Sequence, residues 1–222
     1  QKTAYEIPKR DWSSNVCSSD LVTRSFTPDA TTTADGNAFA TRAFLEYQSP
    51  GWQMQGGYGG VGDRFTDEMG FIPRPGTHNF EGRVGPRYRP IALRKWVRQM
   101  QPHFEFETYT RQSDGSLETA YQGYHHTFQF QDGSFTEFAI NHQTEDVDAP
   151  FTVNSGKGIK VKPGRYNFVE YVNSFNTLNS GRRIGFMSRV AMGPFYDGYL
   201  RSVRFGPAFK VNENFNATVN FQ

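Results

Sequence analysis

Cysteine is almost missing from this chain: Cys17 is the only one in 222 residues. A disulfide framework is therefore excluded, and so is a thiolate-rich metal centre. No run of about 18 apolar residues occurs, which rules out a membrane-spanning helix but not spanning strands, whose alternation makes them only mildly hydrophobic. An excess of one charge sign is lacking as well. The formal net charge is +2, so nothing global points to nucleic acid, and no nucleic-acid partner is expected. Helical periodicity is scarce. No Ser–His–Asp arrangement stands out, so no catalytic residue and no cofactor is assigned.

Residues 1–21 read as foreign to the rest. Gln1-Lys2-Thr3-Ala4-Tyr5-Glu6-Ile7 is the translation of one end of a common short-read sequencing adapter. Asp11-Trp12-Ser13-Ser14-Asn15-Val16-Cys17-Ser18-Ser19-Asp20-Leu21 matches its other end, with a departure at Asn15. Pro8-Lys9-Arg10 leaves room for a sample index in the same reading frame. The expectation is an adapter-derived segment at 1–21, set aside before fold reasoning, and one incomplete domain over 22–222. Lys2, Lys9 and Arg10 balance Glu6, Asp11 and Asp20, so the net charge survives trimming. Cys17 leaves with the segment.

What remains alternates. In Phe215-Asn216-Ala217-Thr218-Val219-Asn220-Phe221-Gln222 every odd position is apolar and every even one polar, the signature of a strand with one greasy and one wet face. Ile184, Phe186, Val190 and Met192 share a face with Ser188, opposite Gly185, Met187, Arg189, Ala191 and Gly193. Tyr199, Val203, Phe205 and Phe209 form another such face, interrupted by Arg201. Phe39 to Tyr47, Trp52 to Tyr58, His103 to Thr110, Leu117 to Gln131, Phe135 to His142 and Arg165 to Phe175 continue the rhythm, giving about ten strands. Turn formers punctuate them at Ser49-Pro50-Gly51, Asp114-Gly115, Asp132-Gly133 and Asp197-Gly198. Gly62 to Arg83 lacks sustained alternation and reads as a long loop. So does Thr144 to Pro163, apart from short apolar pieces at Phe151–Val153 and Ile159–Val161.

Several runs reach ten residues or more, whereas soluble strands average about 5–6 and a tilted bilayer crossing needs about 9–11. Aromatic residues near strand ends (Tyr166, Phe195, Tyr196, Tyr199, Phe215) fit interfacial girdles. The expected fold is all-β, an antiparallel meander forming a fragment of a transmembrane, outer-membrane type β-barrel.

A resemblance points the same way. Asp63-Arg64-Phe65-Thr66-Asp67-Glu68-Met69-Gly70-Phe71-Ile72-Pro73-Arg74 resembles the F-x-x-E-x-G-F-x-x-R segment of a family of bacterial outer-membrane proteins. In that family a large C-terminal domain of unknown function follows a family 9 carbohydrate-binding-like module. Pro150-Phe151, Pro163-Gly164-Arg165-Tyr166, Gly193-Pro194-Phe195-Tyr196-Asp197-Gly198 and Val211-Asn212-Glu213-Asn214-Phe215-Asn216 are similar to that domain in the same order. The resemblance implies an outer-membrane location, lipid as a partner, and glycans only through the module, which this chain does not carry.

Candidate functional residues fall in two groups. Asp63, Arg64, Asp67, Glu68 and Arg74 cluster in the first long loop, where local ion pairs are the plain reading and no calcium-loop spacing is met. Arg87, Arg89, Arg94 and Arg98, with Arg83 and Lys95, form a basic stretch that a barrel would place in its lumen or loops, where charge tunes solute selectivity. Adjacent His125 and His126 must point to opposite faces of a strand. A shared ion would need His103 or His142 to approach one of them across strands, and no metal site is assigned. Gly56-Gly57-Tyr58-Gly59-Gly60 lacks the Gly-Lys-Ser/Thr ending of a phosphate loop.

Two functions remain in view. The leading one is solute passage by an outer-membrane barrel, or anchoring of an exported carbohydrate-binding module. The alternative is a soluble periplasmic β-protein that binds or hydrolyses glycans, with its aromatics gathered in one cleft instead of two belts about 25 Å apart.

Overall fold

A computed structural model describes residues 17–24, 38–65, 74–154, 158–178, 180–210, 216–219 and 221. The chain is all-β. Its strands are β1 (Cys17–Arg24), β2 (Phe39–Gln48), β3 (Trp52–Val61), β4 (Thr77–Pro86), β5 (Val97–Arg111), β6 (Leu117–Phe130), β7 (Phe135–Val147), β8 (Phe151–Asn154), β9 (Ile159–Val161), β10 (Gly164–Asn176), β11 (Ile184–Phe195), β12 (Gly198–Lys210) and β13 (Asn216–Thr218). Eleven of them form one antiparallel meander, with β1 and β13 at its edges and β7 paired directly to β10. β8 and β9 make a separate hairpin in the β7–β10 connection. Among the described residues the only helical element is the 3-10 turn Ile91–Leu93.

The expected loop from Gly62 to Arg83 is shorter than its composition suggested, because β4 begins at Thr77. Its apolar side chains, Phe80 and Val84, are separated by Gly82 and flanked by His78 and Pro86, so the alternation is real but thinly populated. The second expected loop also yields: β7 runs on to Val147, and the two apolar pieces pair as β8 and β9. β1 straddles the boundary expected after Leu21. Its pairing with β2, from Cys17↔Glu46 to Arg24↔Phe39, is made by backbone groups that any sequence supplies.

Because Cα partners in adjacent strands share a face, the register sorts every side chain. Tyr47, Met54, Val84, Phe104, Tyr124 and Ile140 line up across β2 to β7, and Tyr171 and Met192 extend the row over β10 and β11. One residue away, on the other face, Glu46, Gln55, Arg83, Glu105, Gly123, Asn141 and Glu170 line up in the same way.

Burial runs opposite to that of a soluble sandwich. Tyr124 is 50% exposed, Ile140 48% and Tyr171 53%, whereas Gln53, His103, Thr127 and Asn141 are all below 10%. The polar side chains on one face shield one another, and many large apolar ones on the other stand exposed. No large side chain among the described residues is fully buried. Among the described residues only a few apolar side chains are buried, Val97, Met100, Val161 and Phe168 being the larger ones. The sheet is held by its ladders and by the polar face.

The connections differ at the two ends. The β3–β4 and β7–β10 connections (62–76 and 148–163) lie at one end, with the β5–β6 and β11–β12 turns. The opposite end carries the β2–β3 turn, the β6–β7 turn and the 87–96 and 177–183 connections.

Candidate functional site

Among the described residues, charged and hydrogen-bonding side chains are densest on the polar face. Its centre is a chain of charged and hydrogen-bonded groups across six strands. Arg83 on β4 ion-pairs with Glu105 on β5. His103 Nε2 lies 3.2 Å from Glu105 Oε1, and its ring stacks on His125 of β6 with centroids 5.1 Å apart. His125 Nδ1 is 3.3 Å from Glu137 Oε1 on β7, and Thr127 donates to the second Glu137 oxygen at 2.7 Å. The Tyr121 hydroxyl lies 2.8 Å from His125 Nε2 and donates to Asn141 Oδ1 at 3.0 Å. Asn141 Nδ2 donates to Glu170 on β10 at 3.2 Å, and Glu170 accepts from Arg189 on β11 at 3.4 Å.

Such a network has a structural reason. On a strand, positions i and i+2 share a face, so His103, Glu105 and Glu107 emerge together from β5 and meet Tyr121, His125 and Thr127 of β6. Each carboxylate is met by a cation or by neutral donors, as partly desolvated charges require.

Towards the end with the long connections the face opens into a hollow of about 310 Å³, bordered by Arg42, Arg74, Asn79, Glu81, Glu107 and Tyr109. Arg74 donates to Thr119 Oγ1 at 2.8 Å and stands over the Tyr109 ring at 4.1 Å, a cation–π contact. Asn79 and the Tyr109 hydroxyl both donate to Glu107. Below it, Arg111 bridges Asp146 and Asp148 at 3.9 and 2.5 Å, and the Tyr196 hydroxyl donates to Glu145.

Of the first expected group, Arg74 therefore reaches the polar face. Asp63 is exposed and Arg64 half-buried in the turn after β3, where Phe65 N donates to Gly62 O at 3.2 Å. Asp67 and Glu68 lie outside the described residues. The second group does not form one surface. Arg87 closes the opposite end of the polar face, donating to Gln53 at 3.0 Å and Gln48 at 3.2 Å. Arg89 and Arg94 are exposed in the 87–96 connection, and Arg98 at the start of β5 donates to Gln129 at 3.1 Å.

Glu105, Glu137, Tyr121, Asn141, Glu170 and Arg189 carry the centre of the face, and sequence reasoning did not assign them. Alternation alone could have grouped His103 with Glu105. Their juxtaposition with His125 needed the register, which a bulge between Tyr109 and Thr110 shifts by one residue. His126 and His142 lie on the apolar face, with Phe138 and Gln122 as cross-strand partners.

Comparison with protein-family models, with curated proteins and with solved structures finds no match to this chain.

Proposed function

We propose that this sheet is part of the wall of a bacterial outer-membrane β-barrel, its apolar face against lipid and its polar face turned to a lumen. The role is solute passage or anchoring of an exported carbohydrate-binding module. One observation carries the reading: the inverted burial, with large apolar side chains outward across nine strands and charged networks inward. Water penalises such a face heavily, and patches beyond a few hundred Å² mark contact with lipid or protein. The strand lengths of β5, β6, β7 and β10, 13 to 15 residues, exceed the membrane requirement and leave extensions at the end with the long connections. On the apolar face those extensions turn polar, at Thr108, Gln122, His142, Thr144 and Asn167. Long connections on one side fit the extracellular end of such a barrel.

A soluble glycan-binding protein would gather aromatics in one cleft. Here Tyr47, Phe80, Phe104, Tyr124 and Tyr171 are spread over five strands, although Phe151, Tyr166, Phe168, Phe195 and Tyr196 pack together near the β11–β12 turn. The test is purification of the full-length native protein with and without detergent. The expected result is a monodisperse species in detergent and aggregation on its removal. A monodisperse protein in plain buffer would overturn the membrane reading and favour the soluble one.

A further inference from the structure

His103 Nδ1 lies 3.0 Å from the carbonyl oxygen of Gln101. A carbonyl only accepts, so Nδ1 carries the proton and a neutral ring directs the lone pair of Nε2 at Glu105 Oε1, 3.2 Å away. His125 repeats the arrangement. Its Nδ1 faces the Glu137 carboxylate, and its Nε2 faces the Tyr121 hydroxyl at 2.8 Å and Glu105 Oε2 at 4.0 Å. With the Tyr121 proton given to Asn141, both Nε2 atoms are acceptors turned toward an acceptor. Something positive belongs between them.

We propose that His103, Glu105 and His125 hold a divalent transition-metal ion of the zinc class. The three donor atoms lie within 4.8 Å of one another. Ligand atoms about 2 Å from a tetrahedral ion sit roughly 3.3 Å apart; His103 Nε2 is 3.2 Å from Glu105 Oε1 and His125 Nε2 is 4.0 Å from Glu105 Oε2, so His125 has to draw closer around an ion. Two imidazoles and one carboxylate form a ligand set that leaves a fourth position for water or the Tyr121 oxygen. The second shell is in place: a carbonyl behind His103, a carboxylate behind His125, and Arg83 on the ligating carboxylate. Arg83 also tempers the charge of Glu105, so this site is weaker than one with a free carboxylate.

Gly123 keeps the space open. It stands opposite Glu105, and a Cβ there would meet the Tyr121 hydroxyl at 2.4 Å and His125 Nε2 at 2.7 Å.

The test is calorimetric titration of the full chain with Zn²⁺ in detergent, in a Cys17→Ser background because a stray thiolate also binds zinc. A single saturable ion per chain is expected. His103→Ala and His125→Ala should each weaken it by more than about tenfold, and Glu137→Gln, which spares all three ligands, by about tenfold. His126→Ala and His142→Ala, on the opposite face, should leave it unchanged. Should a variant fail to fold, nitrogen NMR of the otherwise intact chain decides: Zn²⁺ should shift Nε2 of two of the five histidines. Absence of saturable binding, or equal affinity after His103 and His125 are both replaced, would overturn the site and leave a proton on an imidazolium as the positive group.

Discussion

Ile140 and Asn141 are chain neighbours that face opposite worlds, 48% and 7% exposed. On a soluble protein, a substitution at a half-exposed position changes stability by about 0.5 kcal/mol or less. Against lipid, an arginine near the bilayer midplane costs about 2–4 kcal/mol. Ile140→Arg therefore separates the two environments by magnitude: the expected loss in denaturant unfolding from lipid is in the larger range, and a near-neutral result would remove the lipid from that face. Tyr196, in the turn between β11 and β12, offers a second residue-scale test. Burial, and then its hydrogen bond to the Glu145 carboxylate, push its phenol above the usual tyrosine range. The folded state thus favours the neutral form. Its contribution is complete below the unfolded value of about 10 and is lost as pH rises through the higher folded value. A near-ultraviolet difference titration between the parent chain and Tyr196→Phe should show a midpoint above pH ~10; one at or below it would contradict the burial of this group.

Among the elements, the β8–β9 hairpin is separable from the sheet. Among the described residues it pairs only with itself, while β7 and β10 hold a thirteen-pair register from Gly164↔Val147 to Asn176↔Phe135 without it. Replacing residues 150–162 by a short Gly-Ser linker is expected to leave protease resistance of the sheet unchanged, while the Phe151–Tyr196 ring contact and the bond from the Tyr166 hydroxyl to the Lys162 carbonyl are lost. Collapse of the sheet would show that the hairpin is structural. Strands with a nearly continuous apolar face, such as β11 with Ile184, Phe186, Val190 and Met192 interrupted only by Ser188, were legible from period two alone. β4 was not, since histidine, glycine and proline occupy three of the five positions on its apolar face. The start of β5 at Val97 was hidden for a related reason: a register irregularity between Val97 and Gln99 breaks the alternation there.

For the molecule as a whole, the antiparallel meander and its two-faced character could be read in the sequence, because alternation and turn residues are local properties. The polar network could not, because it depends on which residue of one strand stands opposite which residue of the next. One bulge at Tyr109 decides whether His103 meets His125 or Tyr124. The edges are a further property of the molecule rather than of any strand. Among the described residues, β1 and β13 each present a row of backbone donors and acceptors without a neighbouring strand in the sheet order. In lipid each unpaired group costs several kcal/mol, far more than the apolar face recovers per residue. A detergent micelle tolerates such edges by letting water reach them, whereas a planar bilayer does not. This 222-residue chain alone is therefore expected to give no discrete, stepwise single-channel conductance in a planar bilayer. Uniform steps would mean that the two edges meet, either within one chain or across several copies, and cross-linking of β1 to β13 would tell those closures apart.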